Sequence, residues 1–335
     1  MKEATPDTPL VSFCLTCYNQ RQYIDEAVKA ALAQTYSPLE IVISDDSSKD
    51  GTWERIQELC QAYDGPHRLI LNHNEQNIGI VGNCQKMFSL AHGELFVKAD
   101  GDDISLPHRV EAIVRDWVAT GKEAVMLCSS YSTIDVNGKE MARHPVPFVG
   151  WDTRSDIDQC RGNGYVYIGA AFAVKRCLLD DFGPIEYPGA CDDTVYTGRA
   201  IMTGRSRTVE DDLVRYRVGS GVSTSKRNYR QTTIRGQRLI MDSQLQNLKD
   251  LEFIRQRLSP ETYLRHKQMF EDYIRHFERS LKLWEGKSFR ERLKGFRDNG
   301  GGTLSKSGIM SLIALLPAKI ADMIIKFIFS VKRVL

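Results

Sequence analysis

Short apolar runs alternate with stretches of helical period along the first half of the chain. Leu10-Val11-Ser12-Phe13-Cys14-Leu15 reads as a buried strand that Thr16-Cys17-Tyr18-Asn19 closes. Ile24, Ala27, Val28, Ala31 and Leu32 then recur at i, i+3, i+4 spacing, the stripe of an amphipathic helix. A second strand, Leu39-Glu40-Ile41-Val42-Ile43, runs into the polar turn Ser44 to Thr52, which caps a helix burying Ile56, Leu59, Cys60 and Tyr63. Arg68 to Leu71 gives a third strand, a loop from Asn72 to Gly82 leads into a helix through Met87, Leu90 and Ala91, and Glu94-Leu95-Phe96-Val97 gives a fourth strand. This alternation predicts an α/β fold with a mostly parallel sheet and helices on both faces. The polar ends of successive strands then gather along one edge, where open α/β sheets bind ligands.

The fourth strand delivers Lys98-Ala99-Asp100-Gly101-Asp102-Asp103, ahead of a helix opening near Leu106-Pro107-His108-Arg109. Three carboxylates this close repel one another unless a cation sits among them. Oxygen ligands without a neighbouring His or Cys favour a hard ion, Mg²⁺ or Mn²⁺. A solvated acidic turn is the competing reading. It loses ground because Thr16 and Tyr18, Asp45 and Asp46, and Asp100, Asp102 and Asp103 are all predicted on the same sheet edge.

Farther along, Pro107 to Val118 reads as a helix, Ala124 to Cys128 as a strand, and Tyr131 to Met141 as a hairpin turning at Asn137-Gly138. Arg161-Gly162-Asn163-Gly164 completes neither phosphate-loop fingerprint. Gly169 to Val174 is a small-residue strand, suited to a ligand's close approach or to tight packing. Asp192-Asp193 follows Gly189-Ala190-Cys191 where a helix starts, a position at which an Asp ordinarily caps. Arg207 to Val218 is a further strand, and helical patterns dominate from about Asn228 to Phe296.

A hydrophobic fraction of 42% and a charged fraction of 26% exclude a disordered chain, and 335 residues allow one large domain or two. The polar N-terminus is no secretory signal, and the eight scattered cysteines fit reduced thiols; both point to the cytoplasm. Cys14 and Cys17 sit on opposite faces of one strand, with no second pair to complete a zinc site. Residues 226–335 hold 23 Lys/Arg and 11 Asp/Glu, a net of +12, against −10 for the rest. The basic part suits an anionic surface; no helix-turn-helix, zinc-finger or RNA-binding signature points to nucleic acid. Ile320, Met323, Ile324, Phe327 and Ile328 form one apolar face, but Pro317, Lys319, Asp322 and Lys326 interrupt any spanning segment. That face suits a helix in the membrane interface, or one packed on the chain's own core or on a partner subunit of a homo-oligomer.

Four segments, Val11 to Asn19, Asp45 to Thr52, Asn77-Ile78-Gly79 with Asn83, and Ala99 to Asp103, fall in an order that resembles the inverting family 2 glycosyltransferases of the GT-A fold. Ala33-Gln34-Thr35-Tyr36 and Leu106-Pro107-His108-Arg109 fit the same pattern. The resemblance covers roughly residues 8–225. It implies a GT-A domain over 1–225, followed by a helical extension over 226–299 and a linker with an amphipathic segment over 300–335. It implies a nucleotide-diphosphate sugar donor, a UDP-sugar first, with Thr16, Tyr18 and Asn19 in the nucleotide pocket and Asp46 on the base beside Asp45. Asn77, Gly79 and Asn83 belong to the same donor site, Asp100 and Asp102 contact ribose and sugar, and Asp102 and Asp103 hold Mn²⁺ or Mg²⁺ on the diphosphate. Cys191-Asp192-Asp193 matches the family's acidic pair, whose second member, Asp193, is the catalytic base. Many members carry a His after the Tyr-Arg strand end; here Tyr216-Arg217-Val218 runs into Gly219-Ser220-Gly221, so Arg217 or Lys226 is expected on the diphosphate. The expected product is a bacterial surface polysaccharide, built on a lipid-linked acceptor at the cytoplasmic face of the membrane. A sugar-nucleotide-forming nucleotidyltransferase and a non-catalytic sugar-nucleotide-binding partner are the alternatives. The first lacks its basic, Gly-rich loop after the first strand; Asp193→Asn separates the second.

Overall fold

The structure is a computed structural model that describes residues 8–156, 167–220, 229–286, 288–298 and 315–316. Four parallel strands form one side of the sheet: β1 (Val11–Cys17), β2 (Leu39–Asp45), β3 (Arg68–His73) and β4 (Leu95–Asp100), in the order β3-β2-β1-β4. Every residue of β2 is buried and β1 is buried except at Thr16, as strands covered on both faces should be. Helices α1 (Ile24–Leu32), α2 (Thr52–Gln61) and α3 (Gly79–Leu90) connect them. The register sets the functional edge: Thr16 lies between Ser44 and Asp100, Cys17 beside Asp45, and Asp45 beside His73.

The other side of the sheet departs from a simple parallel array. After the two-residue β5 (Ile104–Ser105) and helix α4 (Arg109–Ala119), β6 runs over Ala124–Ile134, well past the predicted end at Cys128. β7 (Glu140–His144) returns antiparallel from a turn at Asn137-Gly138, where Gly138 has φ +82°, so the hairpin is present. The small-residue stretch is not one strand: Gly169–Ala171 forms a 3₁₀ turn, and β9 (Phe172–Lys175) inserts antiparallel between β4 and β6. β10 (Arg205–Arg217) lies parallel to β6 and pairs with β5 and with β8 (Gly150–Trp151). The short helix α5 (Cys177–Asp180) precedes α6 (Asp192–Thr203).

Two motif segments act as struts beneath the edge. Gln34 donates to the Ala30 and Leu106 carbonyls at 3.0 and 2.9 Å and accepts from the Val110 amide at 3.1 Å. Arg109, fully buried, donates to Ser105 Oγ at 2.8 Å and to the Lys98 carbonyl at 2.7 Å, holding the end of β4. Cys14 and Cys17 are buried free thiols.

The expected helical extension consists of α7 (Tyr229–Phe253), α8 (Pro260–Glu285) and α9 (Phe289–Asp298). Leu251, Ile254, Tyr263, Met269 and Phe270 join the core that begins at Val11. The buried Arg199–Asp250 pair, 2.7 Å, ties α6 to α7. Ser243 Oγ on α7 accepts from the Cys191 amide at 2.8 Å. A Cβ at Gly198 would lie 2.4 Å from the Asn247 side chain, so glycine permits this close crossing. The consequence is that α7 fixes the start of α6. Among the described residues no helix is long and apolar enough to cross a membrane. Arg161–Gly164, Lys226 and, apart from residues 315–316, the apolar C-terminal segment lie outside the described residues.

Candidate active site at the strand ends

The turn after β2 is held from within. Asp45, fully buried, accepts from Ser48 N at 2.9 Å and Ser48 Oγ at 2.5 Å, and meets His73 Nδ1 at 2.8 Å. Asp46 accepts from Asn74 Nδ2 at 3.0 Å and from the Ile78 and Gly79 amides at 2.9 Å each, while its own amide donates to the Cys17 carbonyl at 2.9 Å. Gly79 has φ +81° and nothing within 4 Å of a would-be Cβ, so backbone conformation, not space, calls for glycine there. Asn83 is buried between Ser44 and Asn74. Asn77 reaches the Asp46 carbonyl at 3.4 Å. Asn19, at φ +50°, takes the Lys49 amide on its side chain at 2.9 Å and gives its own amide to Ser48 Oγ at 2.8 Å. The structure therefore gathers all of these residues and engages Asp45, Asp46 and Asn83 in holding the turns that follow β2 and β3. Tyr18, just past the end of β1, is exposed.

The acidic stretch begins on the strand, since Asp100 is the last residue of β4. Asp100 Oδ1 accepts from Thr16 Oγ1 at 2.8 Å and from Lys98 Nζ at 2.7 Å. Burial is the largest influence and works against its charge, but the Lys98 ammonium, the Thr16 hydroxyl and the Arg109 charge together hold it below the usual carboxylate range. Asp102 accepts from Ser220 Oγ at 2.8 Å, and Asp103 Oδ1 from the Arg217 amide at 2.7 Å. Both carboxyls are pushed up, first by burial and then by their acidic neighbours, Asp103 strongly.

Arg217 stands beside this cluster without neutralising it. Its guanidinium donates to the Asp102 carbonyl at 2.9 Å and the Asp135 carbonyl at 3.2 Å, pairs with Glu26 and lies over the Tyr23 ring. Arg217 is buried, and these contacts hold the acidic loop in place.

The donor set fits a hard divalent cation. Asp103 Oδ2 is buried without a hydrogen-bond partner, and neither Asp102 nor Asp103 is ion-paired among the described residues. A buried orphan oxygen beside a second unpaired carboxylate is costly unless a cation meets it. No group of three His, Cys, Asp or Glu side chains among the described residues could hold the ion by itself, so further oxygens would have to come from a ligand.

Helix α6 brings the second acidic pair to the same place. Cys191 is its N-cap and makes no capping hydrogen bond with its own side chain, so neither Asp192 nor Asp193 stands at the N-cap position. Asp192 is buried, 3.5 Å from Lys98 Nζ, with the Cys84 thiol donating to it at 3.6 Å. Asp193 is half-buried and accepts from the Thr194 amide at 2.6 Å. Burial first, then the Asp192 charge, push its carboxyl up to about 6, within the range of a general base working near neutrality. Lys98, at 3% exposure, is thus shared between Asp100 and Asp192. Sequence reasoning gave it no role, because a lysine inside an apolar run does not reveal its partner on a distant helix. Ser220 and Asn74 were likewise not singled out.

The model of the family described as Glycosyl transferase family 2 matches residues 12–183. An uncharacterized glycosyltransferase of Haemophilus influenzae is 34% identical over 237 residues, covering 67% of this chain and 70% of the relative. S. aureus TarS 1-349, solved in complex with UDP-GlcNAc, superposes at a TM-score of 0.56 with 15% identity, over 87% of this chain and 89% of that one. The mannosyltransferase PcManGT from Pyrobaculum calidifontis, solved with GDP-Man and Mn²⁺, superposes at 0.56 with 17% identity, over 96% and 89%. At these identities the two solved structures speak for the fold.

Proposed function

Because the chain belongs to glycosyl transferase family 2, we propose that it transfers the sugar of a nucleotide-diphosphate donor to an acceptor hydroxyl in one displacement, with inversion. The observation that carries this reading is the convergence of two acid groups from distant elements on one lysine: Asp100 at the end of β4 and Asp192, next to Asp193, at the start of α6.

An alcohol is a weak nucleophile until its proton is removed as it attacks. Asp193 takes that proton while the acceptor oxygen bonds to the anomeric carbon. The bond from that carbon to the diphosphate breaks, and the nucleoside diphosphate leaves with the electron pair. A single displacement inverts the anomeric centre. Asp102 and Asp103 would hold Mn²⁺ or Mg²⁺, whose charge offsets the negative charge growing on the leaving diphosphate. Thr16 and Lys98 orient Asp100 toward ribose and sugar, and Tyr18 covers the base.

A UDP-sugar is the first donor to test and a GDP-sugar the second, given the ligands of TarS and PcManGT. The acceptor we propose is a lipid-linked glycan of a surface polysaccharide. The net charge of +12 over residues 226–335 would keep that end near an anionic membrane surface.

Thermal unfolding with a panel of UDP- and GDP-sugars, with and without Mn²⁺, tests the reading. A ligand of the native state present at 100 times its Kd stabilises by about 2.7 kcal/mol. One sugar nucleotide is expected to raise Tm by several degrees in Mn²⁺ and by much less in EDTA. Stabilisation by none of them with either ion would overturn the reading.

A further inference from the structure

Lys98 sits between the end of β4 and the start of α6. Its ammonium lies 2.7 Å from Asp100 Oδ1 and 3.5 Å from Asp192 Oδ2, and 5.9 Å from the centre of the Phe172 ring on β9. A Cβ at Gly169 would stand 3.1 Å from Nζ, so the 3₁₀ turn lies close over the lysine because that residue is glycine. Fixed supports surround it: Thr16 on Asp100, the Cys84 thiol of α3 on Asp192, and Arg109 on the Lys98 carbonyl. A buried ammonium between two carboxylates is retained where breaking the arrangement would leave uncompensated charge.

We propose that Lys98 is a positioning residue for the transfer: it clamps the start of α6, through Asp192, to the end of β4, through Asp100, and so fixes Asp193 over the donor sugar. The inference rests on the transferase reading for its purpose but not for its test. The charged and titratable groups facing the clamp are Asp100, Asp102 and Asp103 from the β4 end, Asp192 and Asp193 from α6, and the Cys84 thiol from α3. Arg109 adds a second positive charge near Asp100. Of these, Asp193 carries the readout: it does not touch Lys98, yet the ammonium lowers its proton affinity against burial and the Asp192 charge.

The test follows the Asp carboxyl carbons of the full chain by ¹³C NMR against pH, without donor or metal, with Asp193→Asn and Asp192→Asn identifying the two signals. In the native protein Asp193 should titrate with a midpoint near 6. Lys98→Met should raise that midpoint by about 1 pH unit, and Lys98→Arg should keep it near the native value. Where Lys98→Met does not fold, Asp100→Asn serves instead. It leaves the lysine to Asp192 alone and should lower the midpoint. With donor and acceptor, Lys98→Met should move the acid limb of kcat upward by the same amount, whereas mere loss of packing would depress kcat equally at all pH values. An unchanged midpoint in Lys98→Met, or in Asp100→Asn where that variant is used, overturns the clamp. Because the titration needs no turnover, absence of any transfer would overturn the proposed function and leave the clamp standing.

Discussion

Asp193→Asn is expected to lower kcat by about 10²–10⁴-fold while leaving donor affinity within a few-fold of native. The amide is isosteric and can still accept from the Thr194 amide, as the carboxylate does at 2.6 Å, so the start of α6 should keep its shape. What it cannot do is take a proton. The same residue gives a pH signature. Burial and the Asp192 charge raise its carboxyl to about 6, and the base works only when ionised. Activity should therefore fall as pH drops through 6 and level off above 7. Steady-state kinetics across pH 5–8, with donor affinity measured separately by calorimetry, would check both statements. A variant retaining native kcat would remove Asp193 from the chemistry.

Asp103→Asn should move stability and activity in opposite directions. In the free protein the Asp103 carboxyl is pushed well up by burial and by Asp102 and Asp100, and its Oδ2 has no partner. A carboxyl whose folded pKa lies above its unfolded one contributes stability below the unfolded pKa, about 3.9. That contribution is lost as pH rises through the raised folded value. In EDTA at pH 8 the amide variant, which carries no charge to bury, should melt above native, and the gap should close toward pH 4. With Mn²⁺ and donor the order should reverse. The native protein gains stability that the variant does not, and the variant's turnover should fall about 10²-fold or more, in keeping with the several kcal/mol that metal neutralisation supplies at a leaving phosphate. Thermal melts at both pH values, repeated with ligand, read the two signs; lower stability of the variant in EDTA at pH 8 would contradict the electrostatic account.

The half of the fold that builds the donor edge was legible because parallel strands buried on both faces are solid apolar runs. Leu39 to Ile43 could be nothing else, and Asp45 and Asp100 had to fall near its level. The acidic cluster was legible because like charges do not assemble without a cause. The other half of the sheet was not. Gly169–Ala171 carries no period that separates a 3₁₀ turn from a strand, and β5 has only two residues, defined by their pairing with β10.

Side-chain direction was the second limit. Sequence places Arg217 near the acidic loop but cannot show that its guanidinium turns inward to backbone carbonyls and Glu26. It marks Asp192 and Asp193 as an acidic pair at a helix start, and cannot see Lys98 on β4 beside Asp192. Contacts far apart along the chain decide both cases, and local pattern does not contain them.

Diffraction from crystals grown with UDP and Mn²⁺, recorded for the manganese anomalous signal, tests the core of the account. One peak is predicted between the diphosphate and the Asp102 and Asp103 carboxylates, with Asp193 facing the side of the diphosphate where the sugar would stand. A peak elsewhere, or a diphosphate bound with no metal beside those two residues, would contradict it.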